Sequence, residues 1–145
     1  MEGDARVAGN AVRQYMEEWL NKMCAEYEVH TLHKPDSKQF DRTIFDFWEP
    51  FIKKLQNIKG DFFNQRIINQ PCYDRLRTHA LLNYYSHAQA NPYAWAAIGD
   101  VEYVFQEFLN FQYIFSCFSC KKVLKYDHDK SLLYCTYGNQ IFPPT

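Results

Sequence analysis

The chain lacks any apolar run long enough to cross a bilayer. No window reaches the ~18 apolar residues that a spanning helix needs, and the opening Met-Glu-Gly-Asp-Ala-Arg has no continuous apolar signal-peptide core. No membrane association is expected, and the expectation is a soluble, intracellular protein. Net charge is also lacking: sixteen Lys and Arg offset seventeen Asp and Glu to leave −1. Without a global positive field, a dedicated sequence-independent DNA binder is disfavoured. There is no glycine-rich phosphate loop, serine elbow or paired-carboxylate signature, so catalysis has no positive support and a non-enzymatic protein is expected. Internal repeats and low-complexity tracts are missing as well. The five cysteines are odd in number and not spread like a disulfide framework, which fits a reducing compartment and metal ligation.

What the chain does have is aromatic rings, 18% of its 145 residues. A ring takes roughly 150–250 Å² out of water when buried, so a core built chiefly of rings is expected. Val12, Tyr15, Met16, Trp19, Leu20, Met23, Cys24 and Tyr27 recur at spacings of three and four, which predicts an amphipathic helix over residues 10–27. Residues 29–38 read as a loop carrying His30 and His33. A second stripe runs from about Ser37 through Phe40, Ile44, Phe47, Trp48, Phe51 and Leu55 to Ile58, with Pro50 expected to kink or split it. Phe62 to Ile67 reads as a short helical turn that ends at Gln70-Pro71. A fourth helix is predicted from Cys72 to Ala88, with Pro71 suited to its first turn. Asn91-Pro92 opens a fifth, whose last part from Tyr103 to Phe118 is apolar nearly all round. Such an end should be central in the fold or covered by a partner.

The predicted architecture is therefore mainly α: a bundle of about five helices over residues 1–116, with a small β-hairpin and tail over 117–145 packed on it. The hairpin is read from Lys-Lys-Val-Leu-Lys-Tyr, a polar turn, and Ser-Leu-Leu-Tyr-Cys-Thr-Tyr-Gly. A turn at His128-Asp129 would set Lys122 opposite Cys135 and Cys120 opposite Tyr137. That places Cys135 beside Cys117 and Cys120. His128 would then lie roughly 20 Å away at the hairpin tip, an exposed turn residue and a poor ligand.

Cys117-Phe-Ser-Cys120 is the one motif that points to chemistry. Two cysteines three apart on a tight turn bring two soft donors to one point with little loss of chain entropy, and Cys135 follows as a third. The segment resembles a zinc ribbon, in which a hairpin joins two Cys-x-x-Cys knuckles. Cys117 and Cys120 match the first knuckle. Cys135-Thr-Tyr-Gly138 matches the second, with Gly138 where its last cysteine would stand. The resemblance covers about 25 residues and implies a structural Zn²⁺. Its fourth ligand would come from the helical body, where Cys72, next to a proline at a helix start, is the expected one; His79, His87 and Cys24 are the other candidates. Two other readings stand beside zinc: cysteines that merely pack, and a redox pair. The second is weak because the motif follows a helix, whereas reactive pairs use a helix N-terminus to lower the thiol pKa.

The function expected from this pattern is binding: a regulatory subunit or adaptor whose zinc-stabilised end shapes a surface for a protein partner. The alternative is a nucleic-acid-binding component of a transcription, replication or RNA-processing complex. It would use the basic hairpin residues Lys121, Lys122, Lys125 and Lys130, although the favoured reading of these lysines is a solvated face that blocks edge-to-edge pairing. A small helical nuclease is the third reading, with Arg75 and His79 on one helical face as its site.

Overall fold

The computed structural model describes residues 2–31, 44–77 and 98–137. Helices dominate, and the sole sheet among these residues is a two-stranded antiparallel hairpin near the C-terminus, so the protein is mainly α. Helix α1 (Glu2–Glu26) packs against α2 (Ile44–Gln56) and α4 (Ile98–Tyr113), while the short α3 (Pro71–Arg75) lies against α4. A π-helical turn, Phe63–Ile67, sits between α2 and α3.

The stripe read in the first helix is its core face. Met16, Leu20, Met23, Cys24 and Tyr27 are buried, and Val12 and Trp19 are partly so. The helix starts eight residues before the expected position, at Glu2, because Ala and charged residues sustain a helix without contributing to an apolar stripe. It ends where Glu28 turns left-handed (φ 55°), with the Val29 amide bonded to the Cys24 carbonyl at 2.7 Å and the Glu28 amide to that of Ala25 at 3.3 Å. This is a Schellman closure carrying glutamate at the position where glycine is usual.

Pro50 does not split α2, which runs unbroken from Ile44 to Gln56. Phe47, Trp48, Phe51, Ile52 and Leu55 on the two sides of the proline are all buried in the same core. Burial of that face outweighs the one amide bond that proline removes, a loss of about 3 kcal/mol in an unsupported helix. Gln70-Pro71 breaks the chain as expected, with Gln70 extended and Pro71 in the first turn of α3. The expected continuation of that helix to Ala88, the Asn91-Pro92 start, His33, His79, His87 and residues 138–145 lie outside the described residues.

Rings form the centre, as the composition implies. Trp19 meets Phe51, Phe108, Phe111 and Phe115 at centroid distances between 5.4 and 6.1 Å, mostly edge to face. Each such pair contributes about 0.5–1.5 kcal/mol beyond its area. The Tyr103 to Phe118 segment is apolar all round because most of it is central: Val104, Phe108, Phe111, Ile114 and Phe115 are buried. Tyr103, Tyr113 and Phe118 remain exposed.

Leu124, Leu133 and Cys135 belong to the same continuous core, so the C-terminal hairpin is packed on the helices. Hydrogen bonds from the helical body also reach it. The Tyr27 hydroxyl, buried, donates to the Leu124 carbonyl at 3.1 Å, and the Lys59 amide, just past α2, donates to the Ser131 carbonyl at 2.8 Å.

Candidate metal centre

The C-terminal segment turns back twice. Helix α4 unwinds at Tyr113, and the amides of Ile114, Phe115 and Ser116 close tight three-residue turns onto Phe111, Gln112 and Tyr113. The chain then makes a small knuckle: the Cys117 amide donates to the Lys122 carbonyl and the Lys121 amide to the Cys117 carbonyl, both at 2.8 Å, and Ser116 pairs with Val123. The Leu124 amide closes the knuckle onto the Phe115 carbonyl at 2.8 Å. Lys121 occupies the left-handed region (φ 64°), which the reversal after Cys120 requires and which costs a non-glycine residue about 1–2 kcal/mol. Beyond it, β1 (Lys125–Asp127) pairs with β2 (Leu132–Tyr134).

The register differs from the sequence reading by two residues. Lys125 faces Tyr134, Tyr126 faces Leu133 and Asp127 faces Leu132, whereas equal offsets from His128-Asp129 would set Lys122 against Cys135. The turn is longer than the two residues assumed. Asp127 Oδ1 accepts the Lys130 amide at 3.0 Å and Ser131 takes φ 53°, so four residues form the loop. Even so, Cys135 reaches the knuckle, because the knuckle folds back on the same strand by its own hydrogen bonds.

Cys117, Cys120 and Cys135 form a group that could hold a metal ion, with their sulfurs all within 4.8 Å of one another. The Cys120 and Cys135 sulfurs are 3.3 Å apart. A disulfide needs about 2.05 Å, and none of the five cysteines forms one. Sulfurs at 2.3 Å from a tetrahedral zinc stand roughly 3.8 Å from each other, so small side-chain adjustments bring these three to one ion. Cys117 and Cys135 are buried and Cys120 half-buried. The donor set is soft, close and shielded, which suits a thiophilic ion.

Backbone amides aim at the sulfurs. The Cys120 amide donates to Cys117 Sγ, burial opposes it, and the Ser119 amide donates as well, so that the Cys117 thiol is held down at about 6 with the Cys135 and Cys120 sulfurs assisting. The Lys122 amide donates to Cys120, yet burial and the adjacent Cys135 and Cys117 sulfurs keep its thiol above the ordinary value. The Cys117 sulfur is thus the one favoured as a thiolate, the form in which a thiol ligates a cation. A pH dependence follows. A thiol whose folded pKa is depressed to about 6 from an unfolded value near 9 favours folding fully above pH 9, and the advantage is lost as pH falls through 6. Metal-free protein should therefore gain urea resistance steadily from pH 6 to pH 9, and Cys117→Ser should flatten that slope; an unchanged slope in the variant would assign it to another group.

Cys72, the expected fourth thiolate, is not a member of the group. It lies buried at the second position of α3, its thiol raised by burial and by the nearby Glu107 carboxylate. Cys24 is in the core with its thiol toward the Phe47 carbonyl, pushed up to about 11 by burial. His128 is exposed at the hairpin tip and 3.1 Å from Glu28, as its place in the turn implies. Of the four basic hairpin residues, Lys121 and Lys122 flank the knuckle, Lys125 pairs with Glu26 at 3.6 Å, and Lys130 lies in the exposed loop. Arg75 is engaged by the buried Glu107 at 3.1 Å.

Arg66 is the neighbour that sequence reasoning missed. The π-helical turn delivers its guanidinium to 4.1 Å from the centre of the Phe118 ring, near enough to Cys117 for their charges to interact. Fifty residues separate Arg66 from Cys117, and no local pattern links them. No helix among the described residues is long and apolar enough to cross a membrane. Comparison of the chain with protein-family models, curated proteins and solved structures finds no match.

Proposed function

We propose that the protein is a non-catalytic, intracellular adaptor or regulatory subunit whose C-terminal knuckle and hairpin are clamped to the helical body by one structural zinc ion. The observation that carries this reading is the convergence of Cys117, Cys120 and Cys135, with amides already directed at two of the sulfurs. Two very short strands have little stability of their own. A metal that ties the knuckle after α4 to the end of β2 supplies what the pairing lacks, and its binding free energy becomes folding free energy. The aromatic residues still exposed around this end, Tyr113, Phe118 and Tyr137 among them, support a role in holding a partner. The nuclease reading is weakened because Arg75 is committed to Glu107.

The test is elemental analysis of purified protein together with hydrogen exchange in the presence and absence of a chelator. The expected result is about one zinc per chain, with chelation releasing protection over residues 114–137 well before α1 and α2. A chain that purifies without metal and exchanges identically in chelator would reduce this end to an ordinary packed hairpin.

A further inference from the structure

The knuckle tip carries a combination that the clamp does not need. Phe118, between the two knuckle cysteines, is 71% exposed, although the Arg66 guanidinium stacks 4.1 Å from its ring centre. One ring face is thus lined by a delocalised cation and the rest is open to solvent. Beside it in the same turn, Lys121 and Lys122 are exposed and make no ion pair among the described residues. From Tyr113 to Tyr126 the chain holds three lysines and no Asp or Glu, and among the described residues only Lys125 of the three has an ion-pair partner. Tyr137, two residues past Cys135, adds another ring that is 68% exposed. Flat open rings and exposed ammonium groups therefore occur together on a protein whose net charge is −1.

From this juxtaposition we infer that the knuckle tip binds single-stranded nucleic acid, an unpaired base stacking on the open part of Phe118 while Lys121 and Lys122 contact the adjoining phosphates. The inference rests on the metal-clamped knuckle proposed above and names the partner at that end of the adaptor. A strand of bases is the occupant that uses both features. Each nucleotide joins a π face to a phosphate through its sugar, and stacking on an aromatic ring is indifferent to sequence. An apolar protein surface would satisfy the rings and bury the two ammonium groups without partners. Duplex nucleic acid would meet the lysines and leave Phe118 nothing to stack on. The guanidinium behind the ring contributes further, holding it in place by a cation–π contact and extending the positive field toward the phosphates.

The experiment is fluorescence anisotropy of a labelled oligouridine of about 12 nucleotides, titrated with full-length protein at about 50 and 200 mM salt, with zinc content read on the same samples. Binding should weaken with salt, each lysine contact adding about −0.7 to the log–log slope. Phe118→Ala should weaken binding about tenfold and leave the slope unchanged. Lys121→Gly with Lys122→Gln should weaken it and shrink the slope by about 1.4; glycine is chosen at 121 because the left-handed backbone there accepts it. A duplex of equal length should compete poorly. The inference is overturned by any of three results: no binding at the lower salt, Phe118→Ala binding like the wild type, or vesicles of anionic lipid or an acidic peptide binding where the oligonucleotide does not compete. A chain that holds zinc and ignores the oligonucleotide overturns this surface and leaves the clamp standing. A metal-free chain that binds it overturns the clamp and leaves the surface.

Discussion

Under the zinc clamp proposed above, replacing Cys135 by serine should abolish metal binding and lower the melting temperature on the order of 10 °C, so that the variant melts where the wild type melts in chelator. The expectation follows from where this sulfur stands. Cys117 and Cys120 belong to one turn, whose backbone bonds hold it together with or without a metal. Cys135 belongs to the far side of the hairpin, and its sulfur is 3.3 Å from that of Cys120. It is therefore the donor through which a bound ion would join two pieces of chain fifteen residues apart. A serine hydroxyl is a harder and far more weakly acidic donor than a thiol, and the two remaining sulfurs form too small a set to hold zinc against water. Cys72→Ser is the matched control. Its sulfur is buried too, but beside Glu107 on another element, so the zinc content of that variant should stay at the wild-type level. Zinc retained by Cys135→Ser, or lost by Cys72→Ser, would require a different set of ligands.

The helical stripes were legible in the sequence because burial on a helix repeats every three to four residues. Met16, Leu20 and Met23, like Phe47, Phe51 and Leu55, are picked out by that period alone and are buried. The knuckle was legible for a related reason, since two cysteines three apart need only a local turn to meet. What was illegible depends on geometry that no period encodes. The hairpin register turned on one hydrogen bond from the Lys130 amide to Asp127 and on Ser131 accepting a left-handed backbone, which together lengthen the loop by two residues. Of the two outcomes expected at Pro50, a split does not occur, because the buried face of α2 carries the helix through the proline. Arg66 reached the knuckle only through the fold of the intervening chain. Cys72 shows the opposite error: proximity to a proline at a helix start made it a credible ligand in one dimension, and packing of α3 against α4 took it to Glu107 instead.

Phe115→Ala should be the most disruptive single truncation in the helical core, at about 3–5 kcal/mol. The ring is 1% exposed and meets Trp19, Tyr27, Phe51, Phe62 and Phe111 at 5.2–6.2 Å, so rings from α1, α2, α4 and the turn after α2 all touch it. Little can fill the space it vacates without leaving contacts of its own, because four of those rings, Trp19, Tyr27, Phe51 and Phe111, also pack against one another. A loss of that size is a large share of the 5–15 kcal/mol that holds a domain folded. Urea denaturation reads it as a lower midpoint at an unchanged slope. Phe118→Ala, three residues along, is the internal comparison. Its ring is open to solvent except where Arg66 covers it, and its removal should shift stability by no more than about 0.5–1 kcal/mol. The same residue type at two positions within one turn of chain thus separates a ring that builds the core from a ring displayed at the surface. Equal losses in the two variants would mean that Phe118 is packed inside the protein, and a surface role for the knuckle tip would fall with it.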